Sequence, residues 1–426
     1  MADKKTDYRK LLSETDYRRL LISTAVSRFG DSLDAVAFAW LVYKITQNGA
    51  WSAIVFGLNI LPNVIVSPFA GAVVERLNKK NVIVFTHILR AMLLTSFLAM
   101  FVSGHVNGWV MAAFTIAVST IESFNMPAST SFIPMIVKNE DLTKAMSLNS
   151  MVSGAVTMLG TGLAGIIIAK VSLSFVMIID IITFIISAII VLSIRCNKSE
   201  QKNASVSNGS YLVSLKEGIR YLRNEPVMIN YILLAVILNI ILVPINSLQA
   251  PIVSECFKMD SSLLSVIGMA GSTGAILGAS LIPVVSRKLS AKKIVIYLST
   301  ILGSGIIAVS IAGKIFEAEI LKYLSAAICF LVMTCSATLM SGVANIRFIS
   351  IVDKRFIARS SAVFVAASTA AIPVTSMIVG LLKKYLETDE IIMMCGILMM
   401  IFVLVFIILN PALDIKKGNI YEAETA

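Results

Sequence analysis

The chain has 426 residues, of which 57% are hydrophobic and 14% charged, with a formal net charge of +11 at pH 7. An ordinary soluble domain carries roughly 25% charged residues, so a water-facing globule of the usual kind is excluded. Lys and Arg sit in short clusters between apolar stretches, with no basic domain large enough to grip a nucleic acid duplex, so nucleic acid is not an expected partner.

Uncharged runs such as residues 227–243 and 391–410 match the roughly 20 apolar residues that carry a helix across a bilayer. Barrel strands would alternate polar and apolar residues, and these runs do not. The expected fold is all-α and integral to the membrane. Twelve spans are read at about residues 20–43, 51–74, 81–103, 107–126, 145–169, 172–194, 227–254, 262–285, 294–313, 321–345, 357–382 and 390–410. The first 20 residues are too charged for a signal peptide, so the first span is expected to stay in the mature protein.

The organisation follows directly. A tail over 1–19 leads into a six-helix bundle over 20–194, a linker over 195–226, a second six-helix bundle over 227–410 and a tail over 411–426. Residues 71–80, GAVVERLNKK, form a charged connection after span 2, and residues 284–293, VVSRKLSAKK, echo it after span 8. Such repetition marks two related halves. Within the linker, 197–210 is polar, whereas 211–223 places Leu212, Leu215, Ile219 and Leu222 on one helical face. That pattern suits a helix lying on a lipid surface.

Orientation is read from basic residues. The two tails and the 2/3, 4/5, 6/7, 8/9 and 10/11 connections hold 27 of the 36 Lys and Arg, and the opposite connections hold seven. Both termini are therefore expected in the cytoplasm, with the chain in the cytoplasmic membrane.

Ionisable groups at membrane depth cost a few kcal/mol or more and mark candidate function. Span 1 carries Arg28, Asp31 and Asp34, and span 4 carries Glu122. Depth along the helices lets Arg28 pair with Glu122, and Arg90 of span 3 pair structurally with Asp180 of span 6. The remaining acidic excess makes Asp31, Asp34 and Glu122 candidates to load and release a proton, since a low-dielectric cavity favours a neutral carboxyl. Asn239 and Asn246 share one face of span 7 and suit ligand contacts, although hydrogen bonding between helices is an equal reading.

No P-loop, HExxH or GxSxG motif is present, and Cys196, Cys256, Cys329, Cys335 and Cys395 lack metal-ligand spacing. No enzyme, metal or cofactor is expected.

The chain resembles the major facilitator superfamily. Gly71, Val73, Glu75, Arg76, Lys79 and Lys80 fit its 2/3 signature G-x-L-x-D-R-x-G-R-K, with Glu for Asp and Asn78 for the second Gly. Residues 160–165, GTGLAG, resemble a degraded antiporter motif GPxxGG. Phe29-Gly30-Asp31, Phe124-Asn125-Met126-Pro127-Ala128, Asp180 with Phe184, and Pro244-Ile245-Asn246 are similar to stretches of the macrolide-efflux (Mef-type) and enterobactin-exporter group of drug:proton antiporters. The resemblance implies two six-helix bundles around a central cavity and alternating access driven by protons. It implies that Glu75 and Arg76 latch span 2 against the start of span 11 near Arg359. Span 4 lacks the arginine that many drug antiporters carry there.

The expectation is thus a monomeric secondary exporter of an amphipathic small molecule, such as a macrolide-like antibiotic or siderophore, exchanging it for protons and contacting membrane lipid. A lysophospholipid transporter or flippase of the same fold is one alternative, and a non-transporting scaffold or sensor another.

Overall fold

The structure is a computed structural model, and it describes residues 11–138, 141–195, 220, 226–352, 357–411 and 413. Twelve long helices dominate. They are α1 (Thr15–Thr46), α2 (Gly49–Arg76), α3 (Lys79–Val102), α4 (Gly108–Phe132), α5 (Leu142–Lys170), α6 (Leu173–Leu192), α7 (Pro226–Ser247), α8 (Ser261–Lys288), α9 (Ala291–Ile315), α10 (Glu319–Ile351), α11 (Ile357–Leu382) and α12 (Thr388–Leu409). The surface helix expected over 211–223, and most of both tails, lie outside the described residues.

Short polar signals cut the chain into these helices. At the end of α1, Gln47 takes a left-handed conformation with φ 47° and its backbone N–H donates to the Tyr43 carbonyl. The next residue, Asn48, caps α2 by accepting from the Ala50 N–H. Asn78, Asn107, Ser172 and Asp260 cap α3, α4, α6 and α8 in the same way, each satisfying a backbone donor that the helix leaves free.

Ten of the helices are long and apolar enough to cross a membrane. The two that fall outside that set are α1 and α4. Their middles carry Arg28, Asp31, Asp34 and Glu122 among serines and threonines, so their polarity reflects a face turned to an internal cavity rather than to lipid.

The helix pairings of the first half recur in the second. Contacts of α2 with α4, α3 with α6 and α1 with α5 are repeated by α8 with α10, α9 with α12 and α7 with α11. The echo of the charged connection therefore reflects a real internal repeat. Between the halves, α2 packs on α11 and α5 on α8, which are the same pairing related by that repeat.

The closest hydrogen bonds and glycine contacts between the halves lie toward the end opposite the basic connections. A Cβ at Gly57 would meet Ser376, and one at Gly162 would meet Met269, 2.7 Å and 2.6 Å away. Gly165 lies against the Ser261 carbonyl and donates its N–H to Ser265 Oγ at 2.6 Å. Ser265 donates in turn to the Thr161 carbonyl at 2.9 Å. The small-residue run of span 5 is thus a packing surface between halves. In span 8, Gly268 faces Thr161, whereas Gly274 and Gly278 face α10 within their own half.

At that same end Glu255 sits on a short π-helical turn after α7. It accepts from Tyr43 in the first half at 3.0 Å, and from Lys383 at 2.8 Å and Thr388 at 2.6 Å in the second. Toward the basic end, by contrast, a Cβ at Gly71 would meet nothing within 4 Å. The two halves are clasped at one end and part toward the other.

Candidate functional site

The middle of α1 meets α3, α4, α5 and α6 around a polar cavity of about 230 Å³. Arg28, Asp31, His87, Arg90, Glu122 and Asn125 line it, with serines of α1, α4 and α5. Arg90 is its hub. One guanidinium nitrogen meets Asp31 Oδ1 at 2.5 Å and the other meets Glu122 Oε2 at 2.8 Å. The guanidinium carbon stands 4.2 Å above the centre of the Phe184 ring, a cation–π contact that strengthens where water is scarce. With side-chain exposures of 11% for Arg90, 21% for Asp31 and 26% for Glu122, the triad is shielded but reachable from the cavity.

This geometry corrects both expected pairings. Glu122 binds Arg90 and not Arg28, and Arg90 binds Asp31 and Glu122 and not Asp180. Depth arithmetic matched heights but not bearings: Arg28 and Asp31, about 60° apart on α1, both line the cavity, and height alone does not say which arginine Glu122 meets. A forked guanidinium also suits two carboxylates at once.

Asp180 is only 1% exposed and accepts from Thr183 Oγ1 at 3.2 Å. It lies directly against Gly30, where a Cβ would strike both Asp180 and Thr183. Gly30 is therefore the residue that lets α1 approach α6. One turn further along α1, Asp34 Oδ1 is buried without a hydrogen-bond partner, within electrostatic reach of Arg90 and Asp31. Among the described residues neither Asp34 nor Asp180 has a cation within ion-pair distance.

Hydrogen bonds hold the walls of the cavity in register. Asn125 Nδ2 donates to Thr86 Oγ1 at 2.6 Å, and Ser129 donates to Asn125 Oδ1 at 3.1 Å. Ser23 and Ser187 share a 2.5 Å contact, and Ser187 lies 3.3 Å from His87 Nε2. His87 stacks on the same Phe184 that underlies Arg90. Sequence reasoning missed His87 and the central role of Arg90. The available signal was that these are the ionisable residues in the interior of α3, one turn apart.

Other sequence candidates stand elsewhere. Asn239 turns its amide to the Ala235 carbonyl of its own helix at 3.0 Å, and Asn246 is exposed; neither lines this cavity. In the 71–80 connection, Glu75 and Arg76 are exposed and have no ion-pair partner among the described residues. Lys79 donates to the Glu75 carbonyl at 2.7 Å, and Lys80 donates to the carbonyls of Leu192 and Ile194 at 2.8 and 2.7 Å. Both cations thus stabilise C-terminal helix ends within the first half. The expected latch to α11 involves Arg359, whose side chain lies outside the described residues.

A family model described as transmembrane secretion effector, MFS_3, matches residues 10–419. The chain belongs to the MFS_3 family. It is a multi-pass membrane transporter of the major facilitator superfamily. Macrolide efflux protein A of Streptococcus pyogenes is 20% identical over 86% of this chain and 88% of its own length. The MFS-type transporter YvqJ of Bacillus subtilis is 22% identical over 60% of this chain, and the match spans 61% of that relative. Among solved structures, the nucleoside transporter NupG superposes with a TM-score of 0.74 at 13% identity, covering 92% of this chain and 98% of that one. A bacterial homologue of the iron transporter ferroportin in an inward-facing state gives a TM-score of 0.66 at 14% identity, over 92% and 98%. At such identities these structures share the fold with the MFS_3 chain.

Proposed function

We propose that the protein is a secondary active exporter that moves an amphipathic small molecule out across the cytoplasmic membrane in exchange for protons. The observation that carries this reading is the Arg90 triad, an arginine bridging Asp31 and Glu122 at the wall of a cavity within helices of membrane-spanning length. Burying such a group is costly in a purely structural bundle. It becomes useful where charge must be taken up and released during a cycle.

In this mechanism the basic end faces the cytoplasm, and the state in which the halves part toward it accepts cargo from inside. Closing that end brings the exposed Glu75 and Arg76 toward α11, while the Glu255 clasp at the far end releases. A proton bound to Asp31 or Glu122 removes one arm of the triad and leaves Arg90 held by the other, so the loaded and unloaded states differ in charge without stranding the arginine. Asp34 and Asp180, neither with a cation within ion-pair distance among the described residues, are the further proton-carrying candidates. The relatives named for macrolide and multidrug efflux support outward transport, as does the secretion-effector family.

The test is a substrate panel on inside-out vesicles with an imposed pH gradient. Accumulation of an amphipathic compound that collapses with an uncoupler is the expected result. Accumulation that persists without a gradient, or none in a panel spanning cationic, neutral and anionic amphiphiles, would remove the reading.

A further inference from the structure

The four charged side chains of the cavity beside the triad sum to zero, but one of its two cations is in contact with no carboxylate among the described residues. Four charged side chains line it: Arg28, Asp31, Arg90 and Glu122. Both carboxylates are engaged by Arg90. Arg28 is exposed, and among the described residues it has no ion-pair partner. None of the other described carboxylates of the first half lines the cavity. Asp180 is buried against Gly30 at the α1 and α6 contact, Asp34 is half-buried with its Oδ1 unpartnered, and neither lines the cavity. Asp141 pairs with Lys144 and Asp16 with Arg19.

The described residues of the second half add no acid to the lining of this cavity. Between residues 226 and 411 every described acidic residue, from Glu255 to Glu390, stands at the clasped far end. Around Arg28 the cavity presents uncharged hydrogen-bonding groups instead, including Thr24, Asn149, Ser150 and Ser153.

We infer that this cavity recognises an anionic group on the cargo, a carboxylate, sulfonate or phosphate, and that Arg28 is the residue that selects it. The inference rests on the transporter reading and narrows its substrate class. A guanidinium at a cavity wall forms a charge-assisted, two-pronged bond with such an oxyanion, and the hydroxyls and amides of the lining complete its shell. A cationic amine placed against Arg28 meets a like charge, and the carboxylates of Asp31 and Glu122 are engaged by Arg90. The amphipathic remainder of the cargo extends toward the open end between the halves.

Equilibrium titration of the full-length protein in nanodiscs tests this without a gradient, so a failure of export and a failure of anion recognition are told apart. Two probes share one fluorophore: dansylglycine carries a carboxylate and dansylcadaverine an ammonium. Dansylglycine is expected to bind saturably and at least tenfold tighter than dansylcadaverine. Arg28→Gln is expected to weaken dansylglycine by roughly tenfold or more without weakening dansylcadaverine, and Arg28→Lys to restore part of the loss. Dansylcadaverine binding also reports that each variant is folded, and the wild-type preference between probes stands independently of any variant. Equal affinity for the two probes, tighter binding of the cation, no saturable binding of dansylglycine, or an Arg28→Gln protein that binds dansylglycine like wild type would overturn the inference.

Discussion

Neutralising the carboxylates of the Arg90 triad one at a time and then together reads the site's energetics most sharply. Asp31→Asn removes the charge at the 2.5 Å contact and leaves Arg90 held by Glu122 at 2.8 Å; Glu122→Gln does the reverse. Each single variant loses one charge-assisted hydrogen bond, about 1.5–3 kcal/mol. The double variant leaves a guanidinium of 11% exposure with neither of its paired carboxylates, and a buried charge deprived of its partners costs about 3–5 kcal/mol, a penalty that neither single variant incurs. The two losses therefore combine to more than their sum, with a coupling energy of at least about 1 kcal/mol. Unfolding by SDS in mixed micelles, run as a double-mutant cycle, measures it. A cycle that closes additively would show that Arg90 does not depend on both carboxylates, and the triad would lose its place as the hub of the site.

Three further outcomes follow from the packing and the clasp. Gly30→Ala places a methyl group against Asp180 and Thr183, so it is expected to lower stability by about 1–3 kcal/mol in the same assay, whereas Gly71→Ala meets nothing within 4 Å and is expected to leave stability within about 0.5 kcal/mol. Tyr43→Phe removes the 3.0 Å bond to Glu255 that joins the halves; spin labels across the far end are expected to show the open population rise by about fivefold, for roughly 1 kcal/mol of lost hydrogen bond. Glu75→Gln is expected to slow turnover while leaving substrate affinity intact, measured as flux against equilibrium binding, because Glu75 stands far from the cavity residues.

The fold was legible in the sequence because bilayer crossing imposes a coarse, repeated rule on composition. The expected spans survive as twelve long helices, and the helix pairings of the first six recur among the last six. The charges at membrane depth were legible as a group for the same reason: a lone Glu122 or Arg90 stands out against its neighbours. Their partners were not. Pairing depends on the rotation of each helix about its axis and on close approaches such as Gly30 against Asp180, which no single helix encodes. The Glu255 clasp escaped notice because it lies in a connection, where an acidic residue is unremarkable until Tyr43, Lys383 and Thr388 converge on it. Asn239 stood out as a polar residue in an apolar span, yet its amide is satisfied by its own helix.

The account's central claim is that cargo export is driven by protons through the charged cavity of the first half. Uptake into inside-out vesicles under an imposed pH gradient, comparing the wild-type protein with Asp31→Asn/Glu122→Gln, tests it most directly. The account predicts uncoupler-sensitive accumulation by the wild type and loss of gradient-driven accumulation in the double variant, with gradient-independent exchange retained. Equal gradient-driven accumulation by both proteins would contradict it.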